Sequence, residues 1–130
     1  MTPTEALDAY CRAFAARDAD AIVALFDSHA LYEMPLLRTR MVGLAEIRAG
    51  LARAFEVVTS CQFQMSRVLA MGATAIGEGV MNLETIRGPA SVPFAAVAVA
   101  RDGRLARLGL HLDARPYRLW SDGPVLAVAP

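Results

Sequence analysis

The chain has 130 residues, 55 % of them apolar, and its 13 basic residues balance 13 acidic ones. That is apolar material for one domain over residues 1–130 with its own core, and no basic stretch is long enough to track a phosphate backbone, so nucleic acid is not an expected partner. Cys11 and Cys61 lie far apart without CxxC spacing or a neighbouring His, which argues against disulfide, zinc and redox roles and for two small buried hydrophobes. The polar start Met1-Thr2-Pro3-Thr4-Glu5 lacks the basic and apolar regions of a signal peptide, and no uncharged apolar run reaches the ~18 residues a membrane helix needs, so no membrane partner and a cytoplasmic location are expected.

Taken in chain order, Thr2-Pro3-Thr4-Glu5 predicts a helix start, with Thr2 as the cap, Pro3 in the first turn and Glu5 completing a capping box. Leu7, Tyr10 and Phe14 then recur at helical spacing. Arg17-Asp18 interrupts the pattern, and Asp18 is placed to cap a second short helix that buries Ile22, Leu25 and Phe26. Ala30 to Met34 reads as a short strand stopped by Pro35. Gly43 precedes a third helix, whose Leu44, Ile47, Leu51 and Phe55 share one face.

After Phe55 the apolar period changes from 3.6 to 2, beginning with Cys61, Phe63 and Met65. Strands are predicted near 60–71, 73–87, 91–101 and 104–113, with turns at Met71-Gly72, Arg87-Gly88-Pro89 and Asp102-Gly103. Helices followed by a run of strands give an α+β fold with helices on one sheet face. The other face would carry Ile76, Val80 and Ile86, which a second copy of the chain is expected to cover as a homodimer. On the last strand Leu108, Leu110 and Leu112 face the helices while Arg107, His111 and Asp113 face away. The tail after Pro116, with Tyr117, Leu119, Trp120 and Val125 to Val128, is apolar enough to be expected to pack.

The element order, with Asp18 to Phe26 leading into Ala30-Leu31-Tyr32-Glu33-Met34-Pro35-Leu36, resembles the nuclear transport factor 2-like superfamily. Within it the chain looks similar to limonene-1,2-epoxide hydrolase, ketosteroid isomerase and the SnoaL-like polyketide cyclases. Tyr32 to Leu36, Gly43, Ala49-Gly50-Leu51, Gly103-Arg104-Leu105 and Leu112-Asp113-Ala114-Arg115 echo the hydrolase. The resemblance covers most of residues 5–118. It implies a cone-shaped, cystatin-like α+β fold, with three N-terminal helices packed on a curved, mostly antiparallel sheet around a pocket for a small molecule.

Carried over position by position, the resemblance implies a loss of catalytic groups. Where the epoxide hydrolase has an Arg and two Asp, this chain has Gly79, Met81 and Leu110, while the Tyr that holds the nucleophilic water is matched by Tyr32. The Asn beside that Tyr aligns with Glu33 or Met34. For the isomerase, the oxyanion-hole Tyr is matched by Tyr10, but the base falls on Met34 and the protonated Asp on Ala96.

The candidate catalytic residues are therefore Glu33 as a general base, with Tyr10 and Tyr32 as hydrogen-bond donors; a strand carboxylate facing water is the other reading of Glu33. Phe14, Met34, Met65, Gly79, Met81, Phe94, Leu110 and Leu112 are the candidate ligand-binding positions, an apolar and methionine-rich lining. It contains no metal-ligand cluster and no phosphate cradle, so no cofactor is expected. The expected function is binding a small apolar ligand of terpenoid, steroid or polyketide-like type, with isomerisation, hydration or cyclisation as the reactions to consider. A non-catalytic ligand carrier and a dimerisation domain with a filled pocket are the alternatives.

Overall fold

The computed structural model describes residues 1–113. Helix α1 (Pro3–Ala15) starts as its sequence dictates: the Glu5 amide donates to the Thr2 hydroxyl at 3.1 Å and the Thr2 amide to the Glu5 carboxylate at 2.9 Å. Leu7, Tyr10 and Phe14 form its buried face. Asp18 caps α2 (Ala19–Ala24) by accepting from the Ala21 amide, and Ile22 and Val23 are buried there. Leu25 is half-buried and Phe26, expected on this helix, instead opens strand β1.

Strand β1 (Phe26–Met34) runs through a short 3-10 turn at Pro35–Leu37 into β2 (Thr39–Val42), and α3 (Leu44–Val57) follows. Gly43 supplies the turn into α3 with φ 84°, and Glu46 accepts from the Val42 amide across it. Strands β3 (Val58–Met71), β4 (Thr74–Thr85), β5 (Gly88–Arg101) and β6 (Arg104–Leu112) then form the expected meander. The β5–β6 turn has positive φ at both Asp102 and Gly103, as a tight hairpin demands.

The sheet order is β2-β1-β6-β5-β4-β3, antiparallel throughout except that β1 lies parallel to β6. This is the α+β fold read from the sequence, with β2 as an addition. Four residues after a Pro-containing turn were too few to announce a strand, yet Thr39 and Met41 point inward while Arg40 and Val42 point out. All three helices pack on one face, which buries Leu108, Leu110 and Leu112 of β6 and Val92, Phe94, Ala96 and Ala98 of β5. An irregularity adjusts the pairing of β3 with β4. Between Met65 and Arg67 the β3 register shifts, and Gly79 sits opposite because a Cβ there would collide with the Gln64 carbonyl. The expected packing of the tail beyond Pro116 lies outside the described residues. No helix among the described residues is long and apolar enough to cross a membrane.

Candidate functional site

The inner face of β1 and the buried face of α1 meet at two phenols. Tyr10 is placed by the same stripe that packs α1 on the sheet, and Tyr32 by strand alternation on β1; their hydroxyls are directly hydrogen-bonded. Both rings are almost wholly buried. Burial, and then the neighbouring Tyr32, pushes the Tyr10 hydroxyl well above the usual phenol range, so at neutral pH it is a donor and an acceptor and not an anion. An aromatic wall surrounds the pair: Phe26 stacks on Tyr32 at 5.6 Å, and Phe14 and Phe63 stand 5.9 Å and 6.3 Å from the Tyr10 ring.

Around these hydroxyls the helices and sheet leave an internal cavity. Phe14, Met34, Met81, Leu110 and Leu112 line it together with Tyr10 and Tyr32, all of them candidate site residues from the sequence. Met41, Gly50, Leu51, Ala54 and Phe63 complete the lining and were not anticipated as site residues. Gly50 and Leu51 lie on the apolar face of α3, a signal available in the sequence, whereas Met41 depends on the short β2. None of the lining residues carries a charge, so the two phenols are the polar chemistry of the cavity. Its free volume is about 20 Å³, little more than one water molecule requires.

The remaining candidate residues sit elsewhere. Met65 lines an open groove between α1 and β3, beside Leu7, Cys11 and Val68. Gly79 and Phe94 border a shallow depression with Pro93 and Val80, although the Phe94 ring itself is buried in the core. Glu33, the candidate base, is turned away from the cavity. It follows Tyr32 on the strand and so projects from the opposite face, where its Oε1 accepts two hydrogen bonds from Arg107, at 2.7 Å and 3.1 Å. His111 lies on that outer face too, beside Gly109 and near Arg107, as its alternation on β6 predicts. Cys11 and Cys61 are free thiols, and burial pushes both up to about 12. Among the described residues no three His, Cys, Asp or Glu side chains gather as a metal site would require.

Comparison with known proteins places this geometry. The profile of the SnoaL-like domain family matches residues 7–108. Among solved structures, a ketosteroid isomerase-like protein from Catenulispora acidiphila DSM 44928, in complex with trimethylamine, is similar over 99 % of this chain and 100 % of its own, with a TM-score of 0.81 and 18 % identity. TerC co-crystallised with polyporic acid matches 91 % of this chain and 96 % of its own at a TM-score of 0.79 and 21 % identity. An LEH-like epoxide hydrolase of M. tuberculosis matches 85 % and 82 % at 0.74 and 22 % identity. At these identities the likeness is one of fold. A search of curated proteins returns no match.

Proposed function

The chain belongs to the SnoaL-like domain family, and on that premise we propose that its cavity binds a small, uncharged and largely apolar molecule bearing one hydrogen-bond acceptor, of the terpenoid, steroid or polyketide-like kind. The observation that carries this reading is the Tyr10–Tyr32 hydroxyl pair, buried at a cavity whose other lining residues are apolar or aromatic. With Tyr32 donating to Tyr10, the Tyr10 hydroxyl has its own proton to give to a carbonyl or ether oxygen. Such a donor pair polarises a carbonyl, and the polarising effect of a buried donor is strong because little water competes with it. The cavity lining itself offers no carboxylate or imidazole to move a proton between carbon atoms, which favours binding or simple polarisation over isomerisation.

A second reading, an interaction domain with a filled core, is supported by the small free volume of about 20 Å³. Thermal unfolding in the presence of neutral terpenoids, steroids and aromatic polyketides separates the two, since a ligand that binds only the folded state must raise the transition temperature. At least one such compound should stabilise the protein, and Tyr10→Phe should weaken its binding about tenfold, the worth of one buried hydrogen bond. A panel without a stabiliser would favour the filled core.

A further inference from the structure

We propose that Met41 sets the capacity of the cavity, its side chain standing where part of a ligand goes, so that binding requires this thioether to withdraw. The proposal rests on the reading of the cavity as a ligand site and names the residue that controls what it admits, a neutral and largely apolar molecule with one acceptor oxygen. Met41 is the direct cross-strand partner of Tyr32 on the inner face, and the two side chains line the same cavity. Across the cavity, α3 has a glycine at the matching point. The Met41 sulfur fills the space that a Cβ on residue 50 would need, and Cε and Cγ stand 3.5 Å and 3.6 Å from that position. A helix interior normally disfavours glycine relative to alanine. At Gly50 the missing methyl is what gives the thioether a seat.

With Met41 seated, the free volume of about 20 Å³ is far below the roughly 150 Å³ that takes up benzene or xenon in a protein core. Withdrawing three side-chain atoms from the lining that Met41 shares with the two phenols is therefore the most direct way to make room. An unbranched thioether with three rotatable bonds can leave such a seat more readily than a branched aliphatic chain, and Met34 and Met81 on the same lining can adapt around what enters.

The test uses protein with carbon-13-labelled methionine methyls, titrated with cyclopentanone as the acceptor-bearing probe and with xenon as a probe of volume alone. In the wild type, cyclopentanone should shift the Met41 methyl resonance, and Met41→Ala should bind it at least tenfold more tightly and take up more xenon. Met41→Leu, which keeps the core filled if the alanine variant folds poorly, should fall between them. The seat is tested independently: Gly50→Ala should raise Tm in the Met41→Ala background and should not raise it in the wild type, where the sulfur holds that space. Additive effects of those two substitutions, or cyclopentanone and xenon binding both unchanged within twofold in Met41→Ala, would overturn the assignment. A gain in xenon without a gain in cyclopentanone would support Met41 as the occupant of the cavity and count against the hydroxyl-pair reading.

Discussion

Arg17 holds the end of α3 through Phe55 in two ways: its guanidinium carbon stands 5.0 Å from the ring centroid, and one of its nitrogens donates to the Phe55 carbonyl at 3.0 Å. The other terminal nitrogen donates to the Val58 carbonyl, where the chain leaves the helix for β3. Two carbonyls that a helix end leaves without intrahelical partners are thereby satisfied by one side chain from the α1–α2 connection. Arg17 itself adopts φ 56°, a conformation few non-glycine residues take.

Arg17→Ala should cost about 1–2 kcal/mol, read as a lower urea midpoint at unchanged slope, because two charge-assisted hydrogen bonds and a partly exposed cation–π contact go together. Arg17→Lys should recover less than half of this, since an ammonium lacks the planar fork that reaches both carbonyls. An alanine variant as stable as the wild type would show that water caps the helix equally well.

Arg17 also marks where the sequence stops being readable. Thr2, Pro3 and Glu5 specify the start of α1 because a capping box is local, and the meander of β3 to β6 is legible because period-2 alternation and turn residues are local too. The partner of Arg17 is about forty positions away, and nothing in its own neighbourhood names it. The site divides along the same line. Tyr10, Leu110 and Leu112 could be placed from helical spacing and alternation, and Tyr32, Met34 and Met81 from the family resemblance, whereas Met41 required knowing that four residues after Pro35 pair with β1. The placement of Glu33 turned on which face of β1 carries Tyr32, and Arg107 on the parallel neighbour settles the carboxylate on the outer side.

Stability should fall at alkaline pH. Burial raises the Cys11 and Cys61 thiols from an ordinary value of 9.0 to about 12, while the unfolded chain ionises them at the ordinary value. Their contribution is therefore fully present below pH 9 and is lost as pH rises through the window to about 12, where the folded thiols also ionise. Tyr10, raised from 10.0 by burial, acts in the same direction from that pH upward. Urea midpoints measured at intervals from pH 7 to pH 11 should be flat at first and decline beyond about 9. Cys11→Ala with Cys61→Ala should make the decline shallower whatever it does to stability at neutral pH, and an unchanged slope would mean that the thiols are not desolvated.

The outer sheet face carries exposed apolar side chains that a second copy of the chain is expected to cover. In one row across the sheet, Leu69 pairs with Ile76 and Ile76 with Val97, and the first two are 65 % and 50 % exposed. Two rows further along the same face, past the Glu78–Ala95 pair, Pro93 pairs with the half-buried Val80. Charged neighbours on this face include the Glu33–Arg107 pair, which would gain strength as a partner excludes water. Light scattering at micromolar concentration should give the mass of a dimer, and Ile76→Glu should give a monomer, because the isolated carboxylate would have to be desolvated in the interface. A monomeric wild type would leave this face without its expected partner.

Activity assays for epoxide hydrolysis and steroid isomerisation should find no turnover above background. Opening an epoxide needs water deprotonated while the oxygen receives a proton, and moving a double bond needs a base that carries a proton between two carbons; each positioned group contributes about 10²–10⁴-fold. The positions that resemble those of the hydrolase hold Gly79, Met81 and Leu110, and two of them, Met81 and Leu110, line the cavity as apolar side chains. For the isomerase, Met34 lines the cavity and Ala96 is fully buried. Glu33 could have replaced one base, but it projects from the other face of β1 and is held there by Arg107 at 2.7 Å. Glu33→Gln should accordingly leave ligand binding in the cavity unchanged and cost at most about 1 kcal/mol of stability, the usual worth of a partly exposed ion pair. The Tyr10–Tyr32 pair remains able to polarise an oxygen, but polarisation without a base leaves the larger part of either barrier in place. Turnover near one per second, an ordinary enzymatic rate, that survives Glu33→Gln and disappears in Tyr10→Phe would overturn this reading, because the phenols would then be carrying the proton themselves.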